Sequence, residues 1–285
     1  MHTTIGPKRW PPFKRLIQAS QRLWPELTPA ERYGLVRSLT IYYGQPWKWR
    51  RLYSFYTPFL EPGALCFDIG AHVGNRSYFW QQQETQVIAI EPIPYLAQFL
   101  RELFAPNQQV TVLNCGVGDK PGWLDMHIDP RNPTISTLST DWLQRMQDAP
   151  GWSSNQWQEG QKVPLITLQD LITDYGPPRF CKIDVEGMEA AVLKSLDLPL
   201  DALSFEIIPA CRDFAEDCLA QLESLDDYVY NWSPGESLKM HFDRWQTSPQ
   251  IRSFIDEMPP DGPSGDLFAL RQAAMQDYPG LVRPR

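Results

Sequence analysis

The sequence predicts an α/β fold: a parallel sheet of seven strands, with helices on both faces and a helical arm in front. Three observations predict it. From residue 62 onward, short β-rich runs alternate with helical stretches, the pattern of a parallel sheet covered on both sides. The runs are compact and apolar, as strands buried on both faces must be. A 42% hydrophobic and 12% aromatic content can fill a sizeable core, and no stretch approaches the roughly 18 apolar residues of a membrane span.

Residues 1–61 read as a basic, aromatic-rich helical arm, and residues 62–285 as the main domain. Within the arm Thr28 suits a helix N-cap, with Pro29 at the first helical position and Glu31 three residues on. The first strand is 64–69 (ALCFDI), ending at Gly70. Gln86–Ile90 and Val110–Leu113 supply the second and third, Phe180–Ile183 and Ala202–Ile207 the fourth and fifth. Residues 228–232 (YVYNW) and 266–270 (DLFAL) complete seven. Pro94–Phe104 is a helix with Leu96, Phe99, Leu100 and Leu103 on one face, and 187–196 is another. The segment 119–163 breaks the alternation. It holds one strand, 123–128, then a polar, Trp-rich run, and reads as an insertion on the acceptor side.

The net charge of −8 hides an asymmetry. Residues 1–60 carry ten Lys or Arg against Glu26 and Glu31, about +8, which leaves about −16 on the rest. Such a segment either meets an anionic partner, a membrane surface included, or docks on the acidic body. The acidic body argues against nucleic acid. Pro7, Lys8, Arg9, Pro11, Pro12, Lys14 and Arg15 interrupt any secretory apolar run, so a cytoplasmic protein is expected. Cys66, Cys115 and Cys181 sit in or beside apolar runs and read as buried thiols. Without a CxxC pair or a His-x-x-x-His spacing, no structural zinc is expected.

Chemistry concentrates in two motifs. Phe67-Asp68-Ile69-Gly70-Ala71-His72-Val73-Gly74-Asn75 stands where the first strand turns into a helix. Glycines at 70 and 74 let backbone approach a ligand, and a helix starting near Asn75 points free N–H groups at it. The spacing is not the GxGxxG of a dinucleotide fold. Asp68 would repel a pyrophosphate yet attract an amino-acid ammonium, which favours S-adenosyl-L-methionine (S-adenosylmethionine) over NAD. Glu91, ending the second strand 17 residues after Gly74, can accept from both ribose hydroxyls. Asn114 and Cys115, after the third strand, stand among small residues that can accommodate an adenine edge; a Gly-rich turn leading into Lys120-Pro121-Gly122 is the equal alternative.

The second motif is Lys182-Ile183-Asp184-Val185-Glu186-Gly187, at the end of the fourth strand. Charges at that sheet edge are solvated, paired or used. Asp184 and Glu186 can take a hydroxyl proton or hold an acceptor; a plain ion pair to Lys182 is the alternative. Glu206 is a third carboxylate at the same edge, which leaves magnesium open, but no metal ligands are assigned. His72 within the loop reads more readily as satisfied by backbone than as a base, and His127 as no more than a minor candidate.

The strings FDIGAHVGN, VIAIEP, LNCGVGD, VPLITLQDLI and CKIDVEGMEAAVLKSL, in this order, resemble the FkbM-family methyltransferases from about Gly63 to Ile208. Gly235-Glu236-Ser237 and Gly265-Asp266-Leu267 are similar to the tail of some members. The resemblance implies a Rossmann-like, seven-stranded class I methyltransferase sheet, S-adenosyl-L-methionine as donor, and methylation of a hydroxyl oxygen. It puts cofactor contacts at Asp68, Gly70, Gly74, Asn75 and Glu91, and the methyl-transfer site at Asp184 and Glu186. His72 and Arg76 depart from many members. The expected acceptor is a saccharide or small hydroxylated metabolite, with an anionic one not excluded. Trp47, Trp49, Tyr53, Phe55 and Tyr56 beside Lys48, Arg50 and Arg51, with Trp142, Trp152 and Trp157 of the insertion, are the candidate reading surface, with packing onto the body they cover as the stronger alternative. The rival readings are a nicotinamide-dependent dehydrogenase and a catalytically silent cofactor-binding scaffold.

Overall fold

The computed structural model describes residues 13–105, 107–149, 152 and 155–281. His2 and the basic and proline positions before Phe13 lie outside them.

Helices α1 (Phe13–Leu23), α2 (Pro29–Tyr43) and α3 (Pro46–Tyr56) come first. The Thr28 cap forms: Glu31 N donates to Thr28 Oγ1 at 3.3 Å, and Thr28 N donates to Glu31 Oε2 at 2.7 Å. Then follow β1 (Leu65–Ile69), α4 (Asn75–Gln82), β2 (Gln86–Ile90), α5 (Pro94–Phe104) and β3 (Val110–Leu113). Next come β4 (Gly116–Gly118), β5 (Gly122–Ile128), α6 (Thr140–Asp148) and β6 (Gln158–Thr167). The alternation resumes with α7 (Leu168–Tyr175), β7 (Phe180–Ile183), α8 (Glu189–Lys194), β8 (Ala202–Ile207) and α9 (Arg212–Leu225). It closes with β9 (Tyr228–Pro234), α10 (Ser248–Glu257) and β10 (Gly265–Arg271).

The main sheet has seven strands in the order β3-β2-β1-β7-β8-β10-β9. The expectation of an all-parallel sheet is corrected at one strand. β10 runs antiparallel to both β8 and β9, because the chain leaves β9, passes through α10 and re-enters the sheet at the edge it left, Gly265 beside Pro234. The order reverses between β1 and β7, where β2 and β3 lie on one side and β8 on the other. At such a switch point the loops diverge and leave a crevice at the carboxyl ends of the strands.

The segment after β3 holds more strand than its sequence suggests. β4, β6 and β5 form a second, three-stranded sheet, parallel between β4 and β6 and antiparallel between β6 and β5. This sheet and α6 stand over the crevice.

The arm docks on the body. Leu16, Leu23, Leu35, Trp49 and Tyr56 share one buried cluster with Phe79, Phe99, Phe104, Phe180 and Phe268. Tyr56 lies 5.5 Å ring to ring from Trp80, and Trp49 lies 4.2 Å from Phe79. Burying each such ring contributes about 2–3 kcal/mol. Of the candidate reading surface, Trp49, Tyr56 and Trp142 are buried, and Tyr53, Phe55, Trp152 and Trp157 pack partly buried against the same clusters, which is the packing alternative. Trp142 is 1% exposed and packs edge-on against Trp152 and Trp157. Trp47, 68% exposed, is the exception. No helix among the described residues is long and apolar enough to cross a membrane.

Candidate functional site

A cleft opens at the carboxyl ends of β1, β2, β7 and β8. Its floor is Ile69, Gly70 and Ile90 at the strand ends, and its roof includes Met126, Pro133 and Leu138 from the second sheet and the loop after it.

On one side stand the residues of the first glycine loop. Glu91 is 3% exposed; its Oε2 accepts from His72 N at 2.7 Å and its Oε1 from Ile93 N at 2.8 Å. Burial pushes its carboxyl up to about 8, against the pull of those two N–H groups. Each oxygen keeps a further lone pair to offer a ligand. His72 holds a left-handed backbone (φ 51) and lines the cleft, and its Nε2 is buried with no hydrogen-bond partner among the described residues. The backbone satisfaction expected for this ring is therefore absent at Nε2. Burial pulls its pKa down to about 4, so the ring is neutral at physiological pH. Cys115 also lines the cleft, its thiol raised by burial to about 11 and so not a nucleophile.

Five of the candidate cofactor residues lie outside the cleft lining. Asp68, 2% exposed, turns to the helix behind the loop, where Ser77 N and Ser77 Oγ donate to its Oδ2 at 3.0 and 2.5 Å. It caps α4 rather than facing an ammonium group, because the strand end buries it. Ala71 N donates to Ile90 O, and Asn114 Nδ2 donates to Glu91 O and Pro92 O, so both brace the loops from outside. Gly74 caps α4 with φ 72; a Cβ there would meet Leu100 Cδ2 at 2.6 Å. Asn75 follows it and borders a smaller hollow beside α3. Gly70 has φ 83, and a Cβ there would stand 1.8 Å from the Asp184 carbonyl oxygen. Both glycines permit close packing inside the protein, and Gly70 also lines the cleft.

Across the cleft lies the second motif. Lys182, 3% exposed, donates from Nζ to Asp184 Oδ2 at 2.5 Å. Burial alone would raise the Asp184 carboxyl, but the Lys182 ammonium outweighs it and holds the group below its usual range. The ion pair read as an alternative is present, and Asp184 still lines the cleft. Glu186 has a left-handed backbone (φ 53), and its buried Oε2 has no partner among the described residues. Burial, with Glu206, Asp184 and Glu189 nearby, pushes its carboxyl well above the usual range. Glu206 is shifted the same way, by burial first and then by Asp184 and Glu189. Asp184, Glu186 and Glu206 can each present one oxygen with all three within 4.8 Å of one another, a spacing a hard divalent cation accepts.

Several supports have weak sequence signals. Glu189 accepts from Val185 N and Gly187 N at 2.9 Å each and so clamps the loop that carries Glu186. Its place on the helix two residues past Gly187 was the available clue. Thr137 Oγ1 donates to Glu186 O at 2.6 Å, and a Cβ at Gly187 would meet Trp142 Cβ at 2.4 Å. Tyr42, from α2, and Glu236 reach the lining from opposite ends of the chain. Glu236 accepts both oxygens' bonds from Arg76 Nη2, at 2.7 and 2.8 Å, and gives Arg76 its role. His127 lies on β5 outside the lining.

An open sheet in this strand order, with one reversed strand and its cleft at the switch point, is a Rossmann-like class I methyltransferase fold. The chain belongs to the FkbM methyltransferase family: residues 68–243 match the Methyltransferase FkbM domain. A curated relative, Methyltransferase sdnD of Sordaria araneosa, is 25% identical over 161 residues. That match takes in 48% of this chain and 62% of the relative, so the chain spans less than two thirds of its length. Two solved structures overlap more loosely. An O-methyltransferase from Bacillus cereus has a TM-score of 0.39 at 11% identity, covering 92% of each chain. A precorrin-6y C5,15-methyltransferase from Geobacter metallireducens GS-15 has a TM-score of 0.39 at 13% identity, covering 78% of this chain and 88% of its own. Overlaps of this kind say nothing of chemistry.

Proposed function

We propose that the protein is an S-adenosylmethionine-dependent O-methyltransferase acting on a saccharide or other small hydroxylated metabolite. The observation that carries this reading is Glu186: a cleft-lining carboxylate with a buried, unpartnered oxygen and a raised pKa. A base for a hydroxyl proton needs that poise.

The cleft fits the donor. Glu91 offers free lone pairs to ribose hydroxyls, and Ile93, Cys115 and Val117 form an apolar wall for an aromatic base. When bound, the donor supplies a methyl group activated on a positively charged sulfonium. A cation in the cleft draws the Glu186 and Glu206 carboxyls back down, so the base is armed when both reactants are in place. Glu186 then receives the acceptor's hydroxyl proton as the oxygen takes the methyl group. Asp184, pinned by Lys182, orients that hydroxyl. Thr134, Ser136 and Glu236 line the mouth and suit a polyhydroxylated acceptor.

The test is calorimetry with S-adenosylhomocysteine, NADH as control, followed by labelled-methyl transfer to a panel of saccharides and hydroxylated metabolites. Glu186→Gln should lower kcat by about 10²–10⁴ while S-adenosylhomocysteine affinity stays within about threefold. Binding of NADH instead, or a Glu186→Gln enzyme of full rate, overturns the reading.

A further inference from the structure

One surface is unused by this chemistry. Six of the ten large hydrophobic side chains that the described residues leave exposed lie on or just beside α1–α3: Phe13, Ile17, Trp24, Tyr33, Val36 and Trp47. Four of them, Phe13, Ile17, Trp24 and Val36, line one groove. Phe13 and Ile17 stand at i and i+4 on one stripe of α1, and Trp24 follows just past its end. Leu16, Ala19 and Leu23, on the adjacent face of α1, are already buried in the core, so the stripe is a second apolar face. Together with Val36 and Leu39 of α2 it walls an open groove of about 1290 Å³.

The charges around the groove say what covers it. Lys14 and Arg15 are exposed on α1. Arg22, also exposed there, pairs with Glu102 of α5. Arg32 stacks over Trp24 at 5.3 Å. Against them stand Glu26, and Glu31, whose carboxylate is held by the Thr28 cap. The arm is thus strongly positive on a body of opposite sign. Apolar side chains flanked by Lys and Arg, with indoles at the margin, insert shallowly into a bilayer whose headgroups are anionic. The acidic body turns away from such a surface and selects one orientation.

We propose that the α1–α2 groove and its basic rim dock the protein on an anionic lipid bilayer. α2 sends Val36 to this face and Tyr42 to the cleft lining, so the docked helix is also a wall of the site.

The test is co-sedimentation of the full chain with vesicles of phosphatidylcholine, alone or mixed equally with phosphatidylglycerol. Binding to the mixed vesicles only, weakened by salt, is expected. Ile17→Glu and Val36→Glu should each reduce it about tenfold or more, and Lys14→Glu with Arg15→Glu likewise. Circular dichroism melts and S-adenosylhomocysteine binding should stay unchanged in all of them, since these side chains are exposed. Three results overturn the proposal. One is no binding to the mixed vesicles. Another is binding that survives the substitutions but is lost on deleting residues 1–12. The third is a dimer in light scattering that Ile17→Glu dissociates, which would assign the groove to a second copy.

Discussion

In the proposed donor site, Glu91 should make cofactor binding depend on pH in the direction its burial sets. In the free protein burial holds its carboxyl at about 8, so at neutral pH it is mostly protonated. Two ribose hydroxyls donating to it favour the charged form instead, so binding expels a proton. With a pKa of about 8, about nine-tenths of a proton should leave at pH 7. S-adenosylhomocysteine should bind about 100-fold more weakly at pH 6 than at pH 9, approaching one decade per pH unit below 8. Stability runs the other way. A folded pKa raised above the ordinary 4.5 gives stability that is full below 4.5 and is lost as pH rises through about 8. Glu91→Gln removes both slopes and, with two charge-assisted bonds weakened, costs about 2–3 kcal/mol of binding, or about 30–150-fold. Calorimetry from pH 6 to 9, in two buffers of different ionisation enthalpy, measures affinity and proton count together. A flat wild-type profile, or a Gln variant that keeps the slope, refutes the argument.

Asp184→Asn leaves the Lys182 ammonium buried without its partner. Methyl transfer should be abolished with S-adenosylhomocysteine affinity within a few-fold, and a fully active variant in a kinetic assay removes Asp184 from the mechanism. Gly70→Ala drives a Cβ into the Asp184 carbonyl at a φ of 83. It should cost about 2–4 kcal/mol in a denaturant titration, and a loss under 1 kcal/mol would mean the loop relaxes. Chelation by EDTA should leave methyl transfer unchanged, because Lys182 already neutralises Asp184 and Glu186 and Glu206 favour protons. Loss of rate that magnesium restores would assign the three carboxylates to an ion instead.

The seven main strands were legible because each is a short apolar run between turn residues, and each lies within one or two residues of its expected place. β4 and β6 were not. Gly116-Val117-Gly118 has the composition of a turn, and β6 carries Gly160 and Pro164. They are strands because β5 and the body supply partners, a tertiary cause that local propensity does not register. At the site, strand-end carboxylates announced Glu91, Asp184 and Glu186, which all line the cleft. Asp68 misled for a reason of geometry: strand residues alternate, and its side chain goes to Ser77 behind the loop. Tyr42 and Glu236 were hidden because they come from segments far apart in sequence.

The second sheet has a consequence for engineering. It roofs the cleft as an add-on, so residues 116–167 have the outline of a cassette to exchange between relatives when retuning acceptor choice. Thr137 and Trp142 deny it that independence, since they bolt onto the Glu186–Gly187 backbone from inside the cassette. A graft that keeps a hydroxyl at 137 and an indole at 142 should carry its selectivity across intact. One that discards them would shift the proton acceptor itself, and altered specificity would arrive together with lost turnover.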